Sequence, residues 1–458
     1  MPIQLDTAVN LPASSSWQPS IVRSADLTGK FAALWLSQRI LRIVRFFDRV
    51  FYSSPYGPKN DPLARNLKPI DPIPLSQLET VADESSAVLL NGSVNHCDDI
   101  QGMLTHLKTR LNRHSRVVLV LYNPYWKNLA SALGFPFWKR SFPPTPVITR
   151  IALECLSDLS GYDVALHEPV LQFPYRWFGL GLVINIVLSL TPGVRWIFAR
   201  ASLAILRPRL PERESPTVSL LLPVRNELGN LTPLMDALSK IASHKLEVIF
   251  IEGGSKDGSW EGIQNILTRY RGPMKLQALQ QTGRGKADAV RLGAQRASGT
   301  LIVIFDTDLT VPVDRLPLFW EAYQRGHGDF LNGSRLVYPC EKGAMQFLNR
   351  LGNIFFARAL SRVLGNPISD SLCGTKAFPR AFRSAMVRWR KEFGDNFDPF
   401  GDFELLFSAA RMGVGITNIP IRYLSRTYGT TNISRFLHGW MLLKMTVSGY
   451  VKTRMFQW

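Results

Sequence analysis

Long apolar runs, paired cysteines and acidic residues near its end are what this 458-residue chain has least of. Its four cysteines, Cys97, Cys155, Cys340 and Cys373, form no CxxC pair, which argues against a disulfide framework or a zinc site and for a reducing compartment. The first 25 residues show no charged start followed by an apolar core, so secretion is not expected. The best candidate for a membrane span, Trp177 to Leu190, contains Asn185 and stops at Thr191-Pro192. At about 14 residues it falls short of the roughly 20 that a crossing needs, and a buried or interfacial helix is expected instead. Acidic residues are missing after Glu404 and between Val170 and Pro211.

Net charge is +19, from 54 Lys and Arg against 35 Asp and Glu, and its placement matters more than its size. The acid-free stretches mix arginines with aromatics: Arg195, Arg200 and Trp196 in one, Arg422, Arg426, Arg435 and Trp440 in the other. Basic surfaces carrying aromatics suit anionic lipid head groups. No helix-turn-helix, zinc finger or RNP-like motif gives nucleic acid a place. The expectation is a cytoplasmic protein lying peripherally on the inner face of a membrane.

The length exceeds what one core organises, and the proline-rich run RPRLPERESP at 207–216 breaks any periodic pattern. The expected division is a leader over 1–80, partly disordered or helical, a first domain over 81–207, a linker over 208–216 and a second domain over 217–458. In the first domain AVLLNGSVNH and RVVLVLYNP flank a helical segment, and GYDV follows; these runs resemble the second half of a class I methyltransferase fold. S-adenosylmethionine binding in that fold depends on a glycine-rich turn after the first strand. The leader holds only Gly29 and Gly57, neither after a strand-like run. A truncated, non-catalytic relative is expected, with methyltransferase activity as the lesser alternative.

Beyond Pro216, strands at 217–222, 246–252 and 301–305 alternate with helices at 230–241, 260–269 and 287–297, a pattern for a parallel sheet with helices on both faces. Ligands gather at the carboxyl ends of such strands, and four polar motifs sit there. Pro223-Val224-Arg225-Asn226-Glu227 follows SLLL; Glu252-Gly253-Gly254-Ser255-Lys256-Asp257 ends the next strand. Gly283-Arg284-Gly285-Lys286 runs into a helix and offers backbone N–H groups and a lysine to phosphate. Asp306-Thr307-Asp308 follows LIVIF. Two carboxylates so placed are costly to ionise together without a cation, and oxygen ligands favour Mg²⁺ or Mn²⁺.

In that order the motifs resemble the family 2 glycosyltransferases, over about Thr217 to Tyr450, and among them the polyprenyl-phosphate sugar synthases, which share NGSR at 332–335 and DxxCGxK at 370–376. The resemblance implies a GT-A, Rossmann-like fold and inverting transfer of a sugar from a UDP- or GDP-sugar. It implies donor binding by Pro223, Arg225, Glu227, Glu252, Asp257, Lys286 and Asp306, with Asp306 and Asp308 around the metal. Glu252-Gly253 departs from the family's usual paired aspartates. A lipid-phosphate acceptor would be oriented by Arg335, Arg426 and Arg435. A saccharide hydroxyl would instead need a general base, for which Asp402 is the choice, with Glu404 free to fix an arginine. The competing reading of Asp402 is a helix cap before LLFSAA.

Overall fold

The computed structural model describes residues 30–451 except 56–60, 68–69, 71, 79–84, 124–147, 172, 174–176, 191–195, 197–198, 212–213, 342–344, 384–397, 399–400, 427 and 429–434. Two sheets carry it. The first takes α1 (Lys30–Val44), β1 (Arg49–Ser53), α2 (Pro62–Asn66), β2 (Ile73–Pro74), β3 (Ser86–Asn91), α3 (Ile100–Lys108), β4 (Arg116–Tyr122), α4 (Arg150–Leu159), β5 (Tyr162–Leu171), α5 (Leu180–Leu190) and β6 (Ala201–Pro208). Its strand order is β2-β1-β3-β4-β6-β5. β1 pairs in parallel with both β2 and β3, β3 with β4, and β6 runs antiparallel between β4 and β5. Every residue of β3 and β4 is buried, because a parallel strand covered on both faces must be apolar on both.

Two strands and two helices of this half, β1, β2, α1 and α2, come from the segment read from sequence as a leader. RVFYS is too short to announce itself, and it is held by pairing with β3. The apolar stretch ending at Leu190 contributes α5, which leaves Leu180, Val183 and Val187 more than half exposed. Buried Asn185 interrupts its apolar face for a reason: its amide accepts from the Phe173 N–H (2.7 Å) and donates to the Phe173 carbonyl (2.9 Å). No described helix is long and apolar enough to cross a membrane.

The second sheet takes β7 (Val218–Val224), α6 (Leu228–Ser239), β8 (Leu246–Glu252), α7 (Ser259–Arg269), β9 (Lys275–Gln280), α8 (Lys286–Arg296), β10 (Leu301–Ile304), α9 (Pro317–Gln324), β11 (Phe330–Ser334), α10 (Phe347–Leu364), β12 (Lys376–Pro379), α11 (Asp402–Arg411), β13 (Ile416–Pro420) and α12 (Arg435–Tyr450). The order is β13-β11-β12-β10-β7-β8-β9. β10, β7, β8 and β9 are parallel, as the alternation predicts, but β12 lies antiparallel between β10 and β11. That strand lies outside the alternation read over 217–305. KAFP is too short for periodicity to assign, and long-range pairing alone sets its direction.

The halves meet through buried charge. Asp329, at the entry to β11, accepts from Arg113 (2.9 Å), Arg116 (2.6 Å) and Arg207 (3.4 Å) of the first half. The spare guanidinium donors reach carbonyls across the seam: Arg113 to Gly328, Arg116 to Gly413 and Arg207 to Gly326. Burial opposes the Asp329 charge, but the three arginines outweigh it and hold the carboxyl well below the usual range.

Candidate active site

The motifs at the ends of β7, β8 and β10 converge. Asn226, in the left-handed region at φ 57°, turns the chain out of β7, and the next loop braces it. Asn226 N–H donates to Ser255 Oγ (2.9 Å), Glu227 N–H to Ser259 Oγ (3.0 Å) and Leu228 N–H to Asp257 Oδ2 (3.0 Å). The other oxygen of Asp257 accepts from Ser259 N–H (3.1 Å) and its hydroxyl, so this carboxylate pins the two loops together at the start of α6. Buried Glu252 accepts from Ser255 N–H. Thr307 ties the third strand end to the first by donating to the Pro223 carbonyl (3.1 Å), while Arg225 stands exposed beside it.

Lys286 opens α8 behind Gly285, whose φ of 84° favours glycine. Its ammonium pairs with Asp306. Gly374 lies so close to this pair that any side chain there would strike both. Burial opposes the Lys286 charge, but Asp306 and then Asp402 raise its pKa, and it stays protonated. Burial likewise opposes ionised Asp306, and Lys286, followed by Lys376 and Arg335, brings the carboxyl below its ordinary value. Asp308 Oδ1 accepts from Thr310, and Oδ2 meets Arg426 at 2.5 Å. Glu227 stands close enough for Asp308 and Asp306 to act on it; burial first, then those two charges, lift its pKa.

The acidic run around Asp402 resolves into three tasks. Asp398 caps α11, accepting from the N–H groups of Phe403 (2.7 Å) and Glu404 (2.9 Å), so the cap read as an alternative for Asp402 belongs to Asp398. Asp402 accepts from buried Lys376 at 2.7 Å. Glu404 turns the other way and takes Arg291 at 3.1 Å, as two positions two residues apart on a helix must.

Of the expected acceptor arginines, Arg426 reaches the site. Arg335 is turned to Asp370, which it grips with two nitrogens at 2.8 and 2.9 Å. Burial opposes the Asp370 charge, Arg335 overrides it, and the carboxyl falls to about 2. Arg435 begins α12, and its side chain lies outside the described residues. Sequence reasoning assigned no role to Lys376, Asp370 or Asn353. A lysine opening the apolar strand KAFP was the available signal for the first, since a buried cation demands a partner.

Asp306 and Asp308 form a hard-oxygen pair suited to Mg²⁺ or Mn²⁺. Among the described residues no third Asp, Glu, His or Cys joins them to make a protein-only cage. The donor set therefore fits an open site, with the remaining positions left to phosphate and water.

Residues 219–384 match the family model "Glycosyl transferase family 2". A dolichyl-phosphate hexose transferase of Haloferax volcanii is 27% identical over 230 residues, 50% of this chain and 92% of that protein. A dolichol-phosphate mannosyltransferase of Pyrococcus furiosus is 32% identical over 122 residues, 26% of this chain and 33% of that one. An undecaprenyl-phosphate 4-deoxy-4-formamido-L-arabinose transferase of Pseudomonas savastanoi is 25% identical over 177 residues, 38% of this chain and 50% of that one. Among solved structures, Mycobacterium tuberculosis glucosyl-3-phosphoglycerate synthase with Mn²⁺, UDP and glucosyl-3-phosphoglycerate aligns at a TM-score of 0.37 and 15% identity, over 52% of this chain and 80% of that one. A Pyrobaculum calidifontis mannosyltransferase with GDP-mannose and Mn²⁺ aligns at 0.36 and 19%, over 53% and 66%. Residues 219–384 thus place a family 2 glycosyltransferase domain in the second half of this chain, and the protein is a glycosyltransferase.

Proposed function

We propose that the chain moves a hexose from a UDP- or GDP-sugar to a membrane lipid phosphate of the polyprenyl class, with inversion. The observation that carries this reading is the acidic pair Asp306–Asp308 held against Lys286 and Arg426 where three parallel strands end. The names of the relatives support the acceptor class. Asp306 and Asp308 would hold Mg²⁺ or Mn²⁺, which when bound offsets charge on the diphosphate. Lys286 and the N–H groups opening α8 face the same anion. Pro223, Arg225, Glu227 and Glu252 line the nucleotide side, and Asp257 supports them by fixing the loop.

In the reaction a lipid phosphate oxygen attacks the anomeric carbon, the bond from that carbon to the diphosphate oxygen breaks, and the nucleoside diphosphate leaves with the electron pair. No proton has to move. That fits the state of Asp402, whose carboxylate is already engaged by Lys376 and is poorly free to act as a base. Arg426 can exchange Asp308 for the incoming phosphate, and Arg335 and Arg435 extend the cationic side. A second reading, elongation of a lipid-linked or cell-surface saccharide, needs Asp402 released to accept a hydroxyl proton. The first half serves as a scaffold related to truncated methyltransferases; its run of parallel strands and crossover helices supports that reading. A peripheral position on the cytoplasmic face of the membrane completes the proposal.

Incubating the purified chain with labelled UDP- and GDP-sugars, Mg²⁺ or Mn²⁺, and polyprenyl phosphate tests this. Label is expected in the lipid extract only when the acceptor is present. Label in a saccharide product but never in lipid would overturn the acceptor class.

A further inference from the structure

α10 and α12 pack side by side, with Phe356, Leu360, Leu442 and Met445 facing one shared core. Their outward faces are unusual. Leu348, Leu351 and Phe355 recur at three- and four-residue spacing, so they share one face of α10, and they are 60%, 54% and 55% exposed. On α12, Trp440 is 56% and Val447 53% exposed. The same face of α10 continues into Arg358 and Arg362, both exposed, with exposed Arg350 beside it. On α12, Lys444 lies over the Trp440 ring, 5.4 Å from its centre.

Neither helix contains a carboxylate, and the sequence has none between Glu341 and Asp370 or after Glu404. Water-facing helices ordinarily mix both signs. A cationic face carrying aromatic and aliphatic side chains matches a headgroup–acyl boundary, where long basic side chains reach the phosphates while apolar ones sink below. A second copy of this face is a poor occupant, because two surfaces without a carboxylate would repel.

We propose that the α10–α12 face is a docking surface for an anionic phospholipid bilayer. The face is wired to the site: Asn353 of α10 donates to Asp370 (2.7 Å) and accepts from Ser371 N–H (3.0 Å), and Asp370 holds Arg335. Docking there would bring the acceptor side of the site to the surface where its lipid resides, a purpose that rests on the lipid-phosphate reading. The binding itself does not depend on that reading.

The test is co-sedimentation of the full chain with vesicles of phosphatidylcholine alone and of phosphatidylcholine mixed with phosphatidylglycerol. Binding to the mixed vesicles is expected, weakening as salt rises. Reversing the cations (R350E/R358E/R362E/K444E) is expected to weaken it on the order of a hundredfold, and L348S/L351S/F355S to weaken it at every salt concentration. Unchanged thermal melting and unchanged binding of the nucleoside diphosphate in both variants show that the fold and donor site are intact. Wild-type indifference to phosphatidylglycerol, or variants that bind like wild type, overturns the proposal. So does self-association in solution abolished by L348S/L351S/F355S without vesicle binding. Vesicle binding without sugar transfer would leave this face standing and remove the transfer reaction.

Discussion

Both sheets place polar side chains at the carboxyl ends of their parallel strands, yet the two sets are settled in different ways. In the first half, Tyr52 of β1, Asn91 of β3 and Tyr122 of β4 join Asp61 in one hydrogen-bonded network. Tyr52 donates to Asp61, the Asn91 amide donates to Tyr52 (3.0 Å) and Tyr122 donates to Asn91 (2.7 Å). Asn95 then fastens the Tyr122 backbone through its N–H and its carbonyl, both at 2.9 Å. Each of these groups is satisfied by its own chain, as a buried structural network requires. In the second half the strand ends carry carboxylates whose partners, Lys286 and Arg426, are cations able to turn to an incoming anion. A crevice whose hydrogen bonds are all made within it is a scaffold, whereas one held by exchangeable ion pairs is ready for a charged ligand.

The sharpest break in that comparison is Asp308→Ala. Transfer is expected to fall on the order of 10³-fold or more, while the variant stays folded, with a melting temperature within a few degrees of the wild type. Turnover near wild type would remove the metal-binding role of the pair.

Asp329→Asn probes the seam between the two regions. It leaves three inward guanidinium groups without their carboxylate, and a cost of about 3 kcal/mol or more is expected in denaturant unfolding. A loss below about 1 kcal/mol would mean that the Asp329 ion pairs contribute little to holding the halves together.

The strand and helix pattern of the second half was legible because apolar runs such as LEVIFIE end in polar turns; the expected strand at 246–252 coincides with β8. The acidic pair was legible for the same reason, two carboxylates abutting an apolar run. What sequence could not supply were pairings set by distance along the chain. Lys376 meets Asp402 across 26 positions, and Arg426 meets Asp308 across 118. No periodicity encodes such contacts. The five residues of β1 were hidden likewise, since only the neighbouring β3 makes them a strand.

A pH profile sharpens the contrast on the catalytic side. The Asp370 carboxyl falls from 3.8 to about 2 on folding. Above about pH 5 it is ionised in both states and its contribution, about 2 kcal/mol, is complete. As pH drops from about 5 towards 2 the unfolded chain takes up the proton first, and that contribution fades. The melting temperature of Asp370→Asn is therefore expected to fall less steeply across this window than that of the wild type. Parallel profiles would show that Arg335 does not act on Asp370 as its two contacts imply.

The smallest effect is expected in the first half. Tyr52→Phe removes the hydroxyl that links Asp61 to Asn91, where burial first and then the Asp61 charge lift the phenol's pKa. Asp61 keeps the N–H groups of Leu63 (2.9 Å) and Ala64 (3.2 Å), so it is not stranded. The loss should approach that of one neutral hydrogen bond with a charged acceptor, about 1–2 kcal/mol in stability, with sugar transfer unchanged at temperatures where the variant is folded. A selective loss of transfer in a fully folded Tyr52→Phe protein would show that the filled crevice serves the reaction, and that the two strand-end sets are not divided between scaffold and catalysis.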